Sequence, residues 1–151
     1  MKTSQTMDDT DWKLIAELEI DARQSYSELG RKVGLSQPAT AERIKNLESA
    51  GIIRGYHVEV DQEKMGYPIT AFIRLSTDGD QCRLLQKNLS GLPEVLECYR
   101  VTGEGSYMLR AALRSVGHLE TLIDRLLVYG TSTTSIVLST TLAQRSVAPN
   151  G

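Results

Sequence analysis

Cysteine is scarce in this chain of 151 residues: Cys82 and Cys98 are the only two, far apart and in different expected elements. That excludes a disulfide scaffold and a cysteine zinc site, and leaves the thiols as small apolar side chains. Histidine is equally sparse. His57 falls on an expected strand and His118 opens an expected helix, neither with an evident metal partner, so both read as surface residues. Glu97 and Glu104 can be imagined as a carboxylate pair, but nothing supplies a nucleophile or an oxyanion site, and no enzymatic activity is expected. No metal or cofactor is called for. No apolar run reaches the roughly 18 residues of a membrane span. The first residues, MKTSQTMDDTDW, are acidic and lack the apolar core of a signal peptide, so a cytoplasmic location is the expectation.

A basic excess is missing too. The formal net charge is −2, which argues weakly against nucleic acid as a partner. Charge is nevertheless distributed unevenly. Residues 23–54 hold six bases (Arg23, Arg31, Lys32, Arg43, Lys45, Arg54) against three acids (Glu28, Glu42, Glu48). The acids gather instead at Asp8, Asp9 and Asp11, where they suit a helix N-terminus.

What is present has two grammars. The first half is helical. Asp8 is a candidate N-cap for a helix through about Glu19 that buries Trp12, Ile15 and Leu18, with Leu14 beside them. Ser25 and Glu28 form a capping box that opens a short helix with Leu29 and Val33 inward. Gly34 ends it, and Ser36 caps a third helix with Pro38 in its first turn. Two such helices joined by a tight turn are the pattern of a helix-turn-helix. On the third helix Thr40, Ile44 and Leu47 fall within about 60° of one another, a narrow core stripe. Pro38, Ala41, Glu42, Lys45 and Ser49 face away, and Arg43 lies at the stripe's edge. Small and hydrogen-bonding residues there suit close approach to a partner such as the DNA major groove; an ordinary amphipathic surface helix is the alternative.

Residues 54–60, RGYHVEV, alternate as one linking strand, and DQEKMG after them is a polar turn at the expected domain boundary. The second half alternates strands and helices. Strands are expected around Ile69–Leu75, at 95–102, at 106–113 and at 134–142. Helices are expected at 80–90 and 117–128. The order βαββαβ is the ferredoxin-like split unit. Its outer sheet face mixes apolar with polar residues and suits a dimer contact. The fold class expected is therefore α+β. A helix-turn-helix (winged-helix-like) domain spans 1–53 and a linking strand with hinge 54–66. A ferredoxin-like domain spans 67–143 and a tail 144–151.

Three stretches together resemble the Lrp/AsnC, or feast/famine, bacterial transcription regulators: M-D-D-T-D-W-K-L-I from Met7, D-A-R-Q-S-Y-S-E-L-G-R-K-V-G-L-S from Asp21, and R-I-K-N-L-E-S-A-G-I-I-R-G-Y from Arg43. The resemblance covers roughly residues 7–142. It implies sequence-specific binding of double-stranded DNA, a homodimer assembling to an octamer, and modulation by an amino acid or related small effector bound between dimers. The helix from Gln37 to Ala50 would be the recognition helix. Gln37, Pro38, Ala41, Glu42 and Lys45 would face the groove, while Ser25, Arg31, Ser36 and Arg43 would contact phosphates. Arg43 has a second reading, as a structural arginine paired with carboxylates of the first helix. The family's T-G-D-x-D-Y motif here reads Thr102-Gly103-Glu104-Gly105-Ser106-Tyr107, with Ser106 replacing the second acid. By the resemblance these residues hold the effector, with Thr133, Thr134, Ser135 and Ile136 lining the neighbouring part; a tight β-turn is the bland reading of the same loop. Two other functions stay open at this point: an architectural protein that wraps DNA with little sequence preference, and a small-molecule-binding regulatory module independent of DNA.

Overall fold

The computed structural model describes residues 7–103, 106–142 and 147, and the chain divides into two compact units that meet at Val58 and Glu59. Among the described residues the first unit is three helices: α1 (Asp9–Ile20), α2 (Tyr26–Val33) and α3 (Gln37–Ser49). Each begins at a side chain that satisfies orphan amides. Asp8 and Asp11 exchange backbone-to-carboxylate bonds, the Ser25 N–H donates to the Glu28 carboxylate while the Glu28 N–H donates to the Ser25 hydroxyl, and Ser36 accepts from the Ala39 N–H. Gly34 ends α2 at φ 78°, in the left-handed region that glycine occupies without a Cβ clash.

Leu14, Leu29 and Ile44 form the centre of this unit, with Leu18, Val33 and Ile53 packed against them. Burying each central aliphatic removes about 1.5–3 kcal/mol worth of apolar surface from water. Gly30 permits α2 and α3 to approach, since a Cβ there would lie 2.5 Å from the Leu35 carbonyl oxygen and 2.8 Å from Thr40 Oγ1. The expected stripe Thr40, Ile44 and Leu47 is buried. On α1 the expected inward set is corrected. Leu14 is fully buried and Asp11 nearly so, whereas Trp12, Ile15 and Leu18 are half-buried. Asp11 sits inward because its carboxylate has partners there, as described below.

The second unit contains β1 (Ile69–Ser76), α4 (Gly79–Asn88), β2 (Val95–Arg100), β3 (Tyr107–Leu113), α5 (Val116–Leu126) and β4 (Thr131–Ile136). The sheet is antiparallel in the order β2-β3-β1-β4, with β1 paired to both β3 and β4. This is the expected ferredoxin-like arrangement. Alternate residues of the strands (Ala71, Ile73, Leu75, Leu109, Ala111, Leu113) pack with Leu85, Leu119, Leu122 and Leu126 of the helices in one core.

Two expected strands are corrected. The last strand lies at 131–136 rather than 134–142, because the ladder with β1 runs from Ser76 opposite Thr131 to Ala71 opposite Ile136 and ends with the Val137 N–H on the Thr70 carbonyl. Beyond that point β1 offers no partner, and Leu138 is 97% exposed despite the alternation around it. Gly130 fixes the start. It lies at φ 149° and ψ −160°, where a Cβ would overlap the Ser76 carbonyl. Residues 54–60 form no strand ladder, and Tyr56, Val58 and Val60 are exposed. A strand needs a second strand to take its N–H and C=O groups, and among the described residues none pairs with this segment. The first unit accordingly has no wing among the described residues. The tail expected at 144–151 lies outside them apart from Val147.

Candidate nucleic-acid interface

The face of α3 opposite the core is what the rest of the first unit holds in place. Thr40 Oγ1 donates to the Ser36 carbonyl at 2.9 Å, tying the buried stripe to the capped end. With Thr40, Ile44 and Leu47 turned inward, Pro38, Glu42, Lys45 and Ser49 are exposed and Ala41 is half-buried. Gln37 is exposed at the first position of the helix, and Ser36 just before it.

Arg43 is a strut between helices. Its Nη1 donates to Asp8 Oδ2 and to Asp11 Oδ1, each at 2.8 Å. The Asp11 side chain is only 8% exposed, so this guanidinium is what compensates a carboxylate held inside α1. The Asp8 carboxyl is held below its ordinary range, first by the Asp11 backbone N–H and then by Arg43, while Arg43 is pushed up by the same two acids. Of the two readings of Arg43, the geometry has the pairing with the first helix. Lys32 is similarly engaged by Glu17. The Ser25 hydroxyl gives its proton to Glu28 at 2.7 Å and so has none left to donate outward. Arg23, Arg31, Lys45 and Arg54 form no ion pair among the described residues, so four of the six bases in residues 23–54 keep their full charge for a partner.

Sequence reasoning missed one contact beside this face. The Tyr56 hydroxyl donates to Glu48 Oε1 at 2.9 Å; about half of the residue stays exposed, and partial burial of the rest followed by this bond pushes the phenol up to about 12. The contact fastens the segment after α3 to the helix itself. No spacing rule for strands or helices pairs positions 48 and 56; the nearest signal was a tyrosine in a run whose strand partner was absent.

In the second unit the described residues expected to hold an effector do not converge on one point. Ser106 is held by main chain: its N–H donates to the Leu75 carbonyl at 2.9 Å, and its Oγ donates to the Thr77 carbonyl at 3.2 Å. Gly103 takes a positive φ of 92° in the same turn, and Thr102 is exposed. Glu104 and Gly105 lie outside the described residues. Ser106 therefore adjoins the end of β1 that pairs with Thr131 and Ser132. Thr133 and Ser135 lie opposite Arg74 and Phe72 on the face away from the core, whereas Thr134 and Ile136 lie opposite Ile73 and Ala71 on the core side. Ile136 is four residues further along β1, about 13 Å from the Ser106 end. One chain thus brings Thr133 nearer to the turn and leaves Ile136 apart from it.

The outer sheet face carries Phe72 and Tyr99, both substantially exposed, around an ion pair of Arg110 Nη2 with Glu97 Oε1 at 2.6 Å. Tyr99 also donates to Glu97 at 2.9 Å. Arg110 holds the Glu97 carboxyl below its usual range.

A capped helix-turn-helix joined to an antiparallel ferredoxin-like sheet defines a two-domain regulator architecture, one unit presenting an exposed polar helix face and the other an exposed sheet face. The comparisons agree. Residues 7–48 match the AsnC-type helix-turn-helix domain and residues 70–147 the Lrp/AsnC ligand binding domain. The chain is 35% identical over 133 residues to the HTH-type transcriptional regulator LrpC of Bacillus subtilis, covering 88% of this chain and 92% of that protein. The solved structure of LrpC superposes with a TM-score of 0.88 over 93% of this chain and 100% of the other. To the regulator LrpA of Mycobacterium tuberculosis the identity is 34%, over 97% of this chain and 99% of LrpA. The feast or famine regulatory protein of M. tuberculosis, solved in complex with L-methionine, matches with a TM-score of 0.88 at 33% identity over 95% of this chain and all of that one. This chain belongs to the Lrp/AsnC family of transcriptional regulators.

Proposed function

We propose that the chain works in the cytoplasm as a sequence-specific DNA-binding regulator that acts as a homodimer assembling further to an octamer. In this reading α3 enters the major groove with Gln37, Pro38, Ala41, Glu42 and Lys45 toward the bases. Arg31 and Ser36, with the backbone amides of the capped α3 N-terminus, take phosphates. The observation that carries it is the outward face of α3: exposed polar groups on a helix whose opposite face is fully buried, beside cations that form no ion pair among the described residues. Arg43 is left out of the phosphate set because Asp8 and Asp11 occupy it.

The outer sheet face supports the dimer, since exposed aromatics around a half-buried ion pair suit a second copy better than water. An amino acid or related small molecule is the proposed effector, taken at the Thr102–Ser106 turn and the outer residues of β4. The L-methionine complex of the similar feast or famine protein supports that class of ligand. Ser106 is neutral and offers the effector no charge, and its hydroxyl proton is already donated to the Thr77 carbonyl. The test is titration of DNA from upstream of the protein's own gene against a scrambled DNA of equal length, repeated with single amino acids added. Tighter binding to the first DNA, altered by at least one amino acid, is expected. Equal affinity for both DNAs favours the wrapping protein, and ligand binding without DNA affinity favours the DNA-independent module.

A further inference from the structure

The acids of the first unit are almost all occupied. Asp8 and Asp11 hold Arg43, Glu17 holds Lys32, and Asp21 accepts from the Arg23 N–H. Glu28 closes the α2 capping box, Glu48 takes the Tyr56 hydroxyl, and Asp9 stands in the first turn of α1 where the helix end stabilises negative charge. Glu42 has none of this. It is exposed, it lies mid-helix where neither end of the dipole acts on it, and it makes no hydrogen bond or ion pair among the described residues. At 100° per residue it points about 140–160° away from each of Thr40, Ile44 and Leu47, which makes it one of the most outward side chains of α3.

A helix that enters a polyanion with a bare carboxylate at its leading face suffers repulsion from both phosphate walls. The carboxylate is tolerable there only where the groove floor donates a proton to it. Two bases donate in the major groove, cytosine through its N4 amino group and adenine through N6. Adenine sets its N7 lone pair beside that donor and repels a second carboxylate oxygen, whereas cytosine presents the amino group alone.

Resting on the DNA-binding reading above, we infer that Glu42 is a specificity-determining residue that accepts a hydrogen bond from the N4 amino group of a cytosine in each half-site. The same carboxylate rejects guanine and thymine at that position, because both turn acceptors toward it. Lys45 lies about 4.5 Å further along the helix axis, exposed and without an ion pair among the described residues. It is a donor suited to the O6 and N7 of a guanine one base-pair step away.

The test is selection of bound duplexes from a random-sequence library by the full chain, by Glu42→Ala and by Glu42→Gln, with circular dichroism confirming the fold of each. Wild-type protein is expected to enrich one cytosine position per half-site, favoured about 5- to 150-fold over other bases. Glu42→Ala loses that preference while keeping the others, and Glu42→Gln transfers it to adenine, whose N6 and N7 match an amide. The salt dependence of binding is unchanged in both, since no phosphate contact is removed. Enrichment of the same bases by all three proteins overturns the inference and leaves the DNA-binding reading standing. Binding by wild type with no base preference also overturns it. If wild type binds no DNA at low salt, the DNA-binding reading falls and the inference with it.

Discussion

Replacing Arg43 with methionine separates a strut from a phosphate contact. The substitution keeps most of the side chain's volume and removes two charge-assisted hydrogen bonds, to Asp8 and Asp11 at 2.8 Å each. Asp8 is half exposed and water replaces its partner at little cost. Asp11 is the one that matters, with a side chain 8% exposed and left inside the unit without a cation. Losing one hydrogen bond to a buried charge costs about 1.5–3 kcal/mol. The Asp8 N–H still donates to Asp11 Oδ2 at 3.2 Å, which puts the expectation toward the lower end. Trp12 is the chain's only tryptophan and lies in α1, so its fluorescence in urea follows this unit. With a slope of about 1 kcal/mol per molar urea, the midpoint falls by about 1.5 M. The dependence of DNA affinity on salt stays as in wild type. An unchanged midpoint together with a flatter salt dependence would refute the strut and return Arg43 to the phosphates.

Other consequences are measurable. Gly130→Ala forces a Cβ onto the Ser76 carbonyl in a backbone region reserved for glycine, and the second unit loses about 3 kcal/mol or more in denaturant titrations followed by circular dichroism. A variant as stable as wild type would mean that β4 does not start where Gly130 abuts β1. The carboxyls of Asp8, Glu17 and Glu28 are held below their ordinary values of 3.8, 4.5 and 4.5. Groups depressed in the folded state contribute stability that is fully present above those values and is lost as pH falls through the folded ones. The Trp12 urea midpoint is therefore flat from neutral pH down to about 4.5 and drops below it; a drop that begins near neutrality contradicts this.

The helical half was legible in detail because its signals are local. Capping boxes act over three residues, and the Thr40, Ile44 and Leu47 stripe follows from helical pitch alone, so both were recovered along with the turn at Gly34. The strands were less legible where pairing decides. Residues 54–60 and 137–142 alternate as well as true strands do, yet neither has a ladder partner among the described residues. The actual β4, Thr131–Ile136, turns Ser132 and Thr134 toward the core side and so shows little apolar alternation. Its start is set by the collision that any residue but glycine would make at position 130, which depends on where Ser76 ends β1. Arg43 stayed ambiguous for a related reason: its partners lie 35 and 32 residues earlier, beyond any periodicity. The DNA-facing set was drawn from the resemblance and the wheel. The wheel could place Glu42 outward, but only the structure shows that it lies mid-helix with no hydrogen bond or ion pair among the described residues.

The most direct test of the central claim is the slope of log K against log salt for wild type, Arg31→Gln and Arg43→Met on one DNA. A dimer that seats Arg23, Arg31 and Arg54 of each protomer on phosphates gives a slope of about −5, at roughly −0.9 per contact. Arg31→Gln reduces its magnitude by about 2, one contact for each protomer. Arg43→Met leaves it unchanged. Flattening of the slope by Arg43→Met but not by Arg31→Gln, or no binding by wild type at low salt, would contradict the account.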